Sequence, residues 1–141
     1  MYHRWAALAL VLALCALPAK QAAGQQTSPQ PSRKAGVLGQ NYPNPFNPET
    51  TIPFGIECDG NASRQYTVSL QVYNVLSQLV AIPILDGPGT PTENLKLTCG
   101  KYTARWDGKI RSTGREAASG VYVYVLKVDG VPSANRMFVA K

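Results

Sequence analysis

Large apolar side chains recur at every second position through most of the chain beyond Thr50. Ile52, Phe54 and Ile56 alternate with Thr51, Pro53 and Gly55, and Tyr66, Val68, Leu70 and Val72 alternate with Thr67, Ser69 and Gln71. A period of two puts neighbouring side chains on opposite faces of an extended strand, so each run predicts a half-buried strand. Pro53 and Pro83 have no amide hydrogen for a ladder, which predicts an edge position for the first strand and an edge or bulge in the third. The third strand is expected to follow a turn at residues 74–77 and to end near Leu85, with Val80, Ile82 and Ile84 on one side. Leu95 and Leu97 predict a short strand, and Tyr102, Ala104 and Trp106 another. From Gly120 the pattern is apolar on both faces: Tyr122, Tyr124, Leu126 and Val128 on one, Val121, Val123 and Val125 on the other. Such a strand belongs in the middle of a sheet, its second face covered by a loop or a partner. Met137 and Val139 face the core from the last strand. Asp59-Gly60, Asp86-Gly87, Asp107-Gly108 and Asp129-Gly130 punctuate these runs with the positive φ values that tight turns require. About seven strands, with turn signals roughly every ten residues, predict an all-β, immunoglobulin-like antiparallel β-sandwich. The antibody Cys, Trp, Cys spacing is absent.

Before the first strand, residues 40–51 read QNYPNPFNPETT. Pro43, Pro45 and Pro48 fix φ and push the residue before each out of the helical region, so the segment runs extended or turning. Asn41, Asn44 and Asn47 recur every third position, and each can hydrogen-bond its own backbone two residues on. Tyr42 and Phe46 are the expected anchors, their rings laid over the lip of the core. The segment reads as a rigid lid, the alternative being a proline-rich linker.

The start of the chain has a different character. Residues 1–24 read as a cleavable signal peptide: His3 and Arg4, a 13-residue apolar run from Trp5 to Leu17, then Ala22-Ala23-Gly24, with Ala19 a second candidate cleavage site. The run is shorter than the roughly 20 residues a helix needs to cross a bilayer. Residues 25–37 are polar and proline-bearing and are expected to be a disordered linker, leaving 38–141 as the folded domain. Loss of the leader takes Arg4 and Lys20 away, so the formal charge falls from +6 to +4. Lys96, Lys101, Arg105, Lys109, Arg111 and Arg115 surround a single acid, Asp107. They make either a positive stripe or solvated strand edges guarded against aggregation. Export would leave Cys58 and Cys99 in an oxidising compartment, as a disulfide or as two separate thiols.

Candidate chemistry is sparse. The one histidine, His3, lies in the leader, and no nucleophile elbow, phosphate-cradling glycine loop or Cys-x-x-Cys occurs. Of the eight carboxylates, half belong to Asp-Gly turns. These brace backbone, with calcium as the alternative role. No catalytic, cofactor-binding or metal site is therefore expected, nor a nucleic-acid or small-molecule partner. Asn61-Ala62-Ser63 fits a glycosylation sequon and is read as a surface turn. Trp106, Tyr122 and Tyr124 could form a stacking platform but have the spacing of core residues.

Residues 38–54, LGQNYPNPFNPETTIPF, resemble the entry motif of the type A C-terminal sorting domain of the bacterial type IX secretion system. The immunoglobulin-like domain of the flagellar hook-capping protein has a related motif. The other half of the resemblance lies in Trp106-Asp107-Gly108, residues 118–126 (Ala118, Ser119, Gly120, Val121, Tyr122 and onward through Tyr124), and Met137 to Lys141. It implies a non-enzymatic module that crosses the inner membrane with an ordinary leader and folds in the periplasm. An outer-membrane translocon would then recognise it and deliver it to the cell surface, in many members with removal by a sortase-like peptidase. The motif positions would mark the fold and the terminal signal. In this chain only the short linker separates leader from domain, so the module is either the mature product, part of a longer protein, or put to another use. The alternative is a structural or adhesive extracellular subunit that packs against copies of itself or partners. Where the family often has glycine, this chain has Ser77.

Overall fold

The computed structural model describes residues 35–141; the expected leader and residues 25–34 of the linker lie outside the described residues. Nine strands follow one another: β1 (Gly36–Leu38), β2 (Thr50–Ile56), β3 (Gln65–Tyr73), β4 (Leu79–Ala81), β5 (Ile84–Leu85), β6 (Leu95–Thr98), β7 (Gly100–Trp106), β8 (Gly120–Val128) and β9 (Val131–Val139). They form two antiparallel sheets, one in the order β1-β2-β7-β5 and one in the order β4-β3-β8-β9, with β6 also on β3. The sheets enclose one apolar core, so the described residues form the predicted all-β sandwich.

The period-two pattern explains that core. Ile52, Phe54 and Ile56 of β2, Tyr66 to Val72 of β3, Tyr122 to Val128 of β8, and Met137 and Val139 of β9 are buried at alternate positions. Each large apolar side chain removed from water contributes roughly 1.5–3 kcal/mol. As expected, β8 is central, between β3 and β9. Its outward valines are half-buried beside Tyr73 and Gln71 of β3 and Arg136 and Phe138 of β9.

Three expectations need correction. The linker ends earlier than residue 37, because Gly36 and Val37 pair with Ile56 and Gly55 and Ala35 accepts the Glu57 amide. Gly36 lies so close to β8 that a Cβ there would stand 2.7 Å from a Val128 methyl carbon, which is why so small a residue begins the fold. β2 is consequently not an edge; Pro53 is tolerated because the β1 pairing stops at Leu38, opposite Phe54. The expected third strand is two strands in different sheets. β4 pairs with β3, and after Ile82-Pro83 the chain crosses to pair β5 with β7, which leaves Ile84 exposed and buries Leu85. In the second sheet β3 gives one edge to β8 and shares the other between β6 and β4. Thr92 plugs the gap on that edge. Its carbonyl accepts the Leu70 amide, and its buried hydroxyl lies 3.0 Å from the Leu70 carbonyl and 2.7 Å from that of Pro83.

Candidate recognition site

The proline-rich entry segment is held by buried polar groups as much as by its aromatic rings. Gly39 donates its amide to the Pro53 carbonyl, but Pro53 has no N–H to return. The Gly39 carbonyl accepts instead from the Tyr124 hydroxyl at 2.7 Å and from Asn135 Nδ2 at 3.4 Å. Tyr124 is fully buried, and its hydroxyl also accepts the Asn41 amide at 3.0 Å, so one side chain of β8 clamps both sides of Gln40. Burial pushes the Tyr124 phenol above its ordinary value. Asn41 is buried as well, its Nδ2 donating to Thr50 Oγ1 at 3.0 Å and to the Pro43 carbonyl at 3.3 Å, while the Thr50 hydroxyl donates to the same carbonyl.

The two expected anchors and the three asparagines therefore have unequal parts. Phe46 is 2% exposed, whereas Tyr42 is 54% exposed because its backbone bridges Thr51 and Asn41, one position earlier, turns inward. Asn41 alone bonds its own chain two residues on, to a carbonyl, since Pro43 has no amide hydrogen. Asn44 reaches across to accept the Phe138 amide at 2.9 Å, and Asn47 makes no side-chain hydrogen bond to a described residue. The bonds preceding Pro43, Pro45 and Pro48 are all cis.

These contacts join the two ends of the domain. Phe46 runs parallel to the end of β9, donating to the Phe138 carbonyl and accepting the Ala140 amide. Its ring meets Trp106 edge-on at 5.4 Å, and Trp106 meets Tyr122 likewise at 5.5 Å. The Trp106 indole donates to the Lys109 carbonyl and the Tyr122 hydroxyl to the Ala118 carbonyl. Asp107 caps the Lys109 amide, and Gly108, at φ 74°, lies under the entry segment, where a Cβ would fall 2.2 Å from the Pro48 carbonyl oxygen. The Lys141 amide donates to Ser119 Oγ, and its ammonium lies 3.1 Å from Glu116. Met137, opposite Tyr122, is completely buried. Thus Asn41 to Pro48, Trp106 to Gly108, Ser119 to Tyr124 and Met137 to Lys141 are brought together at one end of the sandwich. Their outward side is Tyr42, Pro43, Pro45, Pro48 and Phe138.

The remaining candidates are dispersed. Trp106, Tyr122 and Tyr124 are core residues, so they offer no open platform. Cys58 and Cys99 form a disulfide with α-carbons 5.0 Å apart, beside the Ile56–Gly100 pair of β2 and β7. The basic residues do not form one stripe: Lys96 is on β6 in one sheet, and Lys101 and Arg105 are on β7 in the other. Arg105 donates to Asp86 at 2.8 Å, and this bond, with a second from Thr103, holds the Asp86 carboxyl below its ordinary range. No cluster of metal-ligating side chains occurs among the described residues. Sequence reasoning missed Asn135 and gave Thr50 and Phe138 no part of their own within the quoted motifs, because their roles come from partners 9 to 96 positions away in the chain. Comparison with family models, with curated proteins and with solved structures finds no match to this chain.

Proposed function

We propose that the chain is an exported, non-enzymatic module that serves as a C-terminal sorting signal for type IX secretion and is delivered to the cell surface. One observation carries this: the entry motif and the chain terminus, far apart in sequence, are hydrogen-bonded to each other through Asn44, Phe46, Phe138 and Ala140. A receptor that reads this end would engage the entry segment and the last strand at once, which separates a folded domain from unfolded chain. Tyr42, Pro43, Pro45 and Phe138 give that receptor an apolar, conformationally fixed surface, and Lys141 a charge. The translocon, and in some settings a sortase-like peptidase, are the partners this implies.

Removing Met137 to Lys141 would not test the proposal cleanly, because Met137 and Val139 belong to the core. The informative variants are Tyr42→Ser with Phe138→Ser, at side chains 54% and 46% exposed. Cells making the full chain and the double variant are fractionated, and the periplasmic variant is checked for an unchanged melting curve. Retention of a folded variant in the periplasm is the expected result; equal delivery of both to the surface would sink the proposal. A structural or adhesive subunit is the second reading, favoured by Val75 and Leu76, each 74% exposed on a rigid turn. Asn74 Oδ1 braces that turn by accepting the Leu76 and Gln78 amides. Concentration-dependent sedimentation that Leu76→Ser abolishes would support that reading; a monomer at all concentrations would exclude it.

A further inference from the structure

The connection between β2 and β3 contains a chemically distinct group that the sorting proposal does not use. Every residue from Glu57 to Gln65 is exposed, and the base of the connection is tethered by the Cys58–Cys99 disulfide. At its crest stands Asn61-Ala62-Ser63. Asn61 Oδ1 accepts the Ser63 amide at 3.0 Å, its own amide donates to Asp59 Oδ1 at 3.2 Å, and its carbonyl accepts the Arg64 amide at 3.1 Å. The oxygen side of the asparagine carboxamide is thus occupied. Its Nδ2 and the Ser63 hydroxyl make no hydrogen bond to any described residue and face solvent. Gly60, beside them, has open space where a side chain would be.

We propose that Asn61 is a glycan acceptor, modified at Nδ2 by an oligosaccharyltransferase that takes its sugar from a lipid-linked oligosaccharide pyrophosphate. Asn-x-Ser with a non-proline residue between is the minimal acceptor sequence. Asp59, two residues ahead, sets the acceptor turn: one carboxylate oxygen accepts the Asn61 amide and the other bonds the Arg64 guanidinium. In the transfer Nδ2 forms a bond to the sugar's anomeric carbon as the bond from that carbon to the pyrophosphate oxygen breaks. The displaced Nδ2 proton passes to a base of the transferase, and the lipid pyrophosphate leaves. The bulk added is a solvated surface group, which an exposed connection accommodates without touching the core. β2 runs from Thr50, paired with Trp106, to Ile56, paired with Gly100. The connection therefore leaves the opposite end of the sheet from the Phe46–Trp106 joint, and a glycan on it leaves the proposed recognition surface uncovered.

The test uses the full chain produced in its own cells and recovered from whole cells and medium together. The reduced tryptic peptide ending at Arg64 is measured by mass spectrometry for the native chain and for Asn61→Gln, Ser63→Ala, Ser63→Thr and Asp59→Ala. The native peptide is expected to carry an oligosaccharide mass that Asn61→Gln and Ser63→Ala abolish, Ser63→Thr retains and Asp59→Ala diminishes, with melting curves unchanged for the two Ser63 variants. A native peptide found only at its unmodified mass overturns the proposal, as does an added mass that survives Ser63→Ala. Neither result depends on the route by which the chain leaves the cell.

Discussion

At the scale of single residues, hydrogen-bonding groups inside the fold decide more than the aromatic rings beside them. The Tyr124 hydroxyl serves Gly39 and Asn41 together. Tyr124→Phe keeps the ring but strands the buried Asn41 amide and leaves the half-buried Gly39 carbonyl only its 3.4 Å bond from Asn135, so it is expected to cost about 1–3 kcal/mol, read as a lower urea midpoint at unchanged slope. Because burial raises the folded-state pKa of this phenol above 10.0, its contribution is complete below that pH and is lost as pH rises past it. The variant should therefore lose less stability than the native chain on alkaline titration. Ser77 presents the opposite case. It is exposed, at φ 59°, where a Cβ is strained and glycine is not. Ser77→Gly should stabilise the domain by about 0.5–1 kcal/mol, measured by thermal or urea unfolding, once glycine's extra entropy loss is set against the relief of strain.

Among the elements, what the alternating pattern could and could not reveal divides at β4 and β5. Val80, Ile82 and Ile84 look like one face of one strand, but the chain changes sheets at Pro83, and a local period carries no information about which sheet its two halves join. Thr92 is invisible for a related reason: it is polar, it lies in a loop, and the carbonyls it satisfies come from Leu70 and Pro83. Turn chemistry was legible, since Asp129 and Gly130, at φ 49° and 80°, close the β8–β9 hairpin as Asp-Gly predicts. The disulfide needed the fold, because only the pairing of β2 with β7 sets the cysteine α-carbons at bridging distance. It closes a loop of 41 residues. Loop-closure entropy then gives about 2–4 kcal/mol, so Cys58→Ser/Cys99→Ser should unfold at a clearly lower urea concentration while keeping the same far-ultraviolet spectrum.

For the whole molecule, the first and last segments of the sandwich depend on each other. A chain ending at residue 136 loses Met137 and Val139 from the core, together with the backbone bonds that hold Phe46. Truncating a buried methionine alone costs about 2–5 kcal/mol, and 5–15 kcal/mol is the whole stability of a typical domain. The truncated protein is therefore expected to lose its near-ultraviolet spectrum and to unfold without a sharp transition, whereas Phe138→Ser, at the exposed neighbour, should melt cooperatively. That contrast separates a terminus needed for folding from a terminus that is read.

The sequence by itself determined the strand character of nearly every element, the inward set of side chains and the positions of the Asp-Gly turns. All of these follow from steric preferences and a period that act within a few residues. It also marked the entry and terminal motifs as special without indicating that they touch. The tertiary structure decided which strands are neighbours, that Asn41 rather than Tyr42 is buried, that β1 begins before the expected domain start, and that Asn44 and Phe46 bind the last strand. Those outcomes rest on satisfying backbone donors and acceptors left over by prolines and strand ends, and such partners are assigned only when distant parts of the chain are brought together.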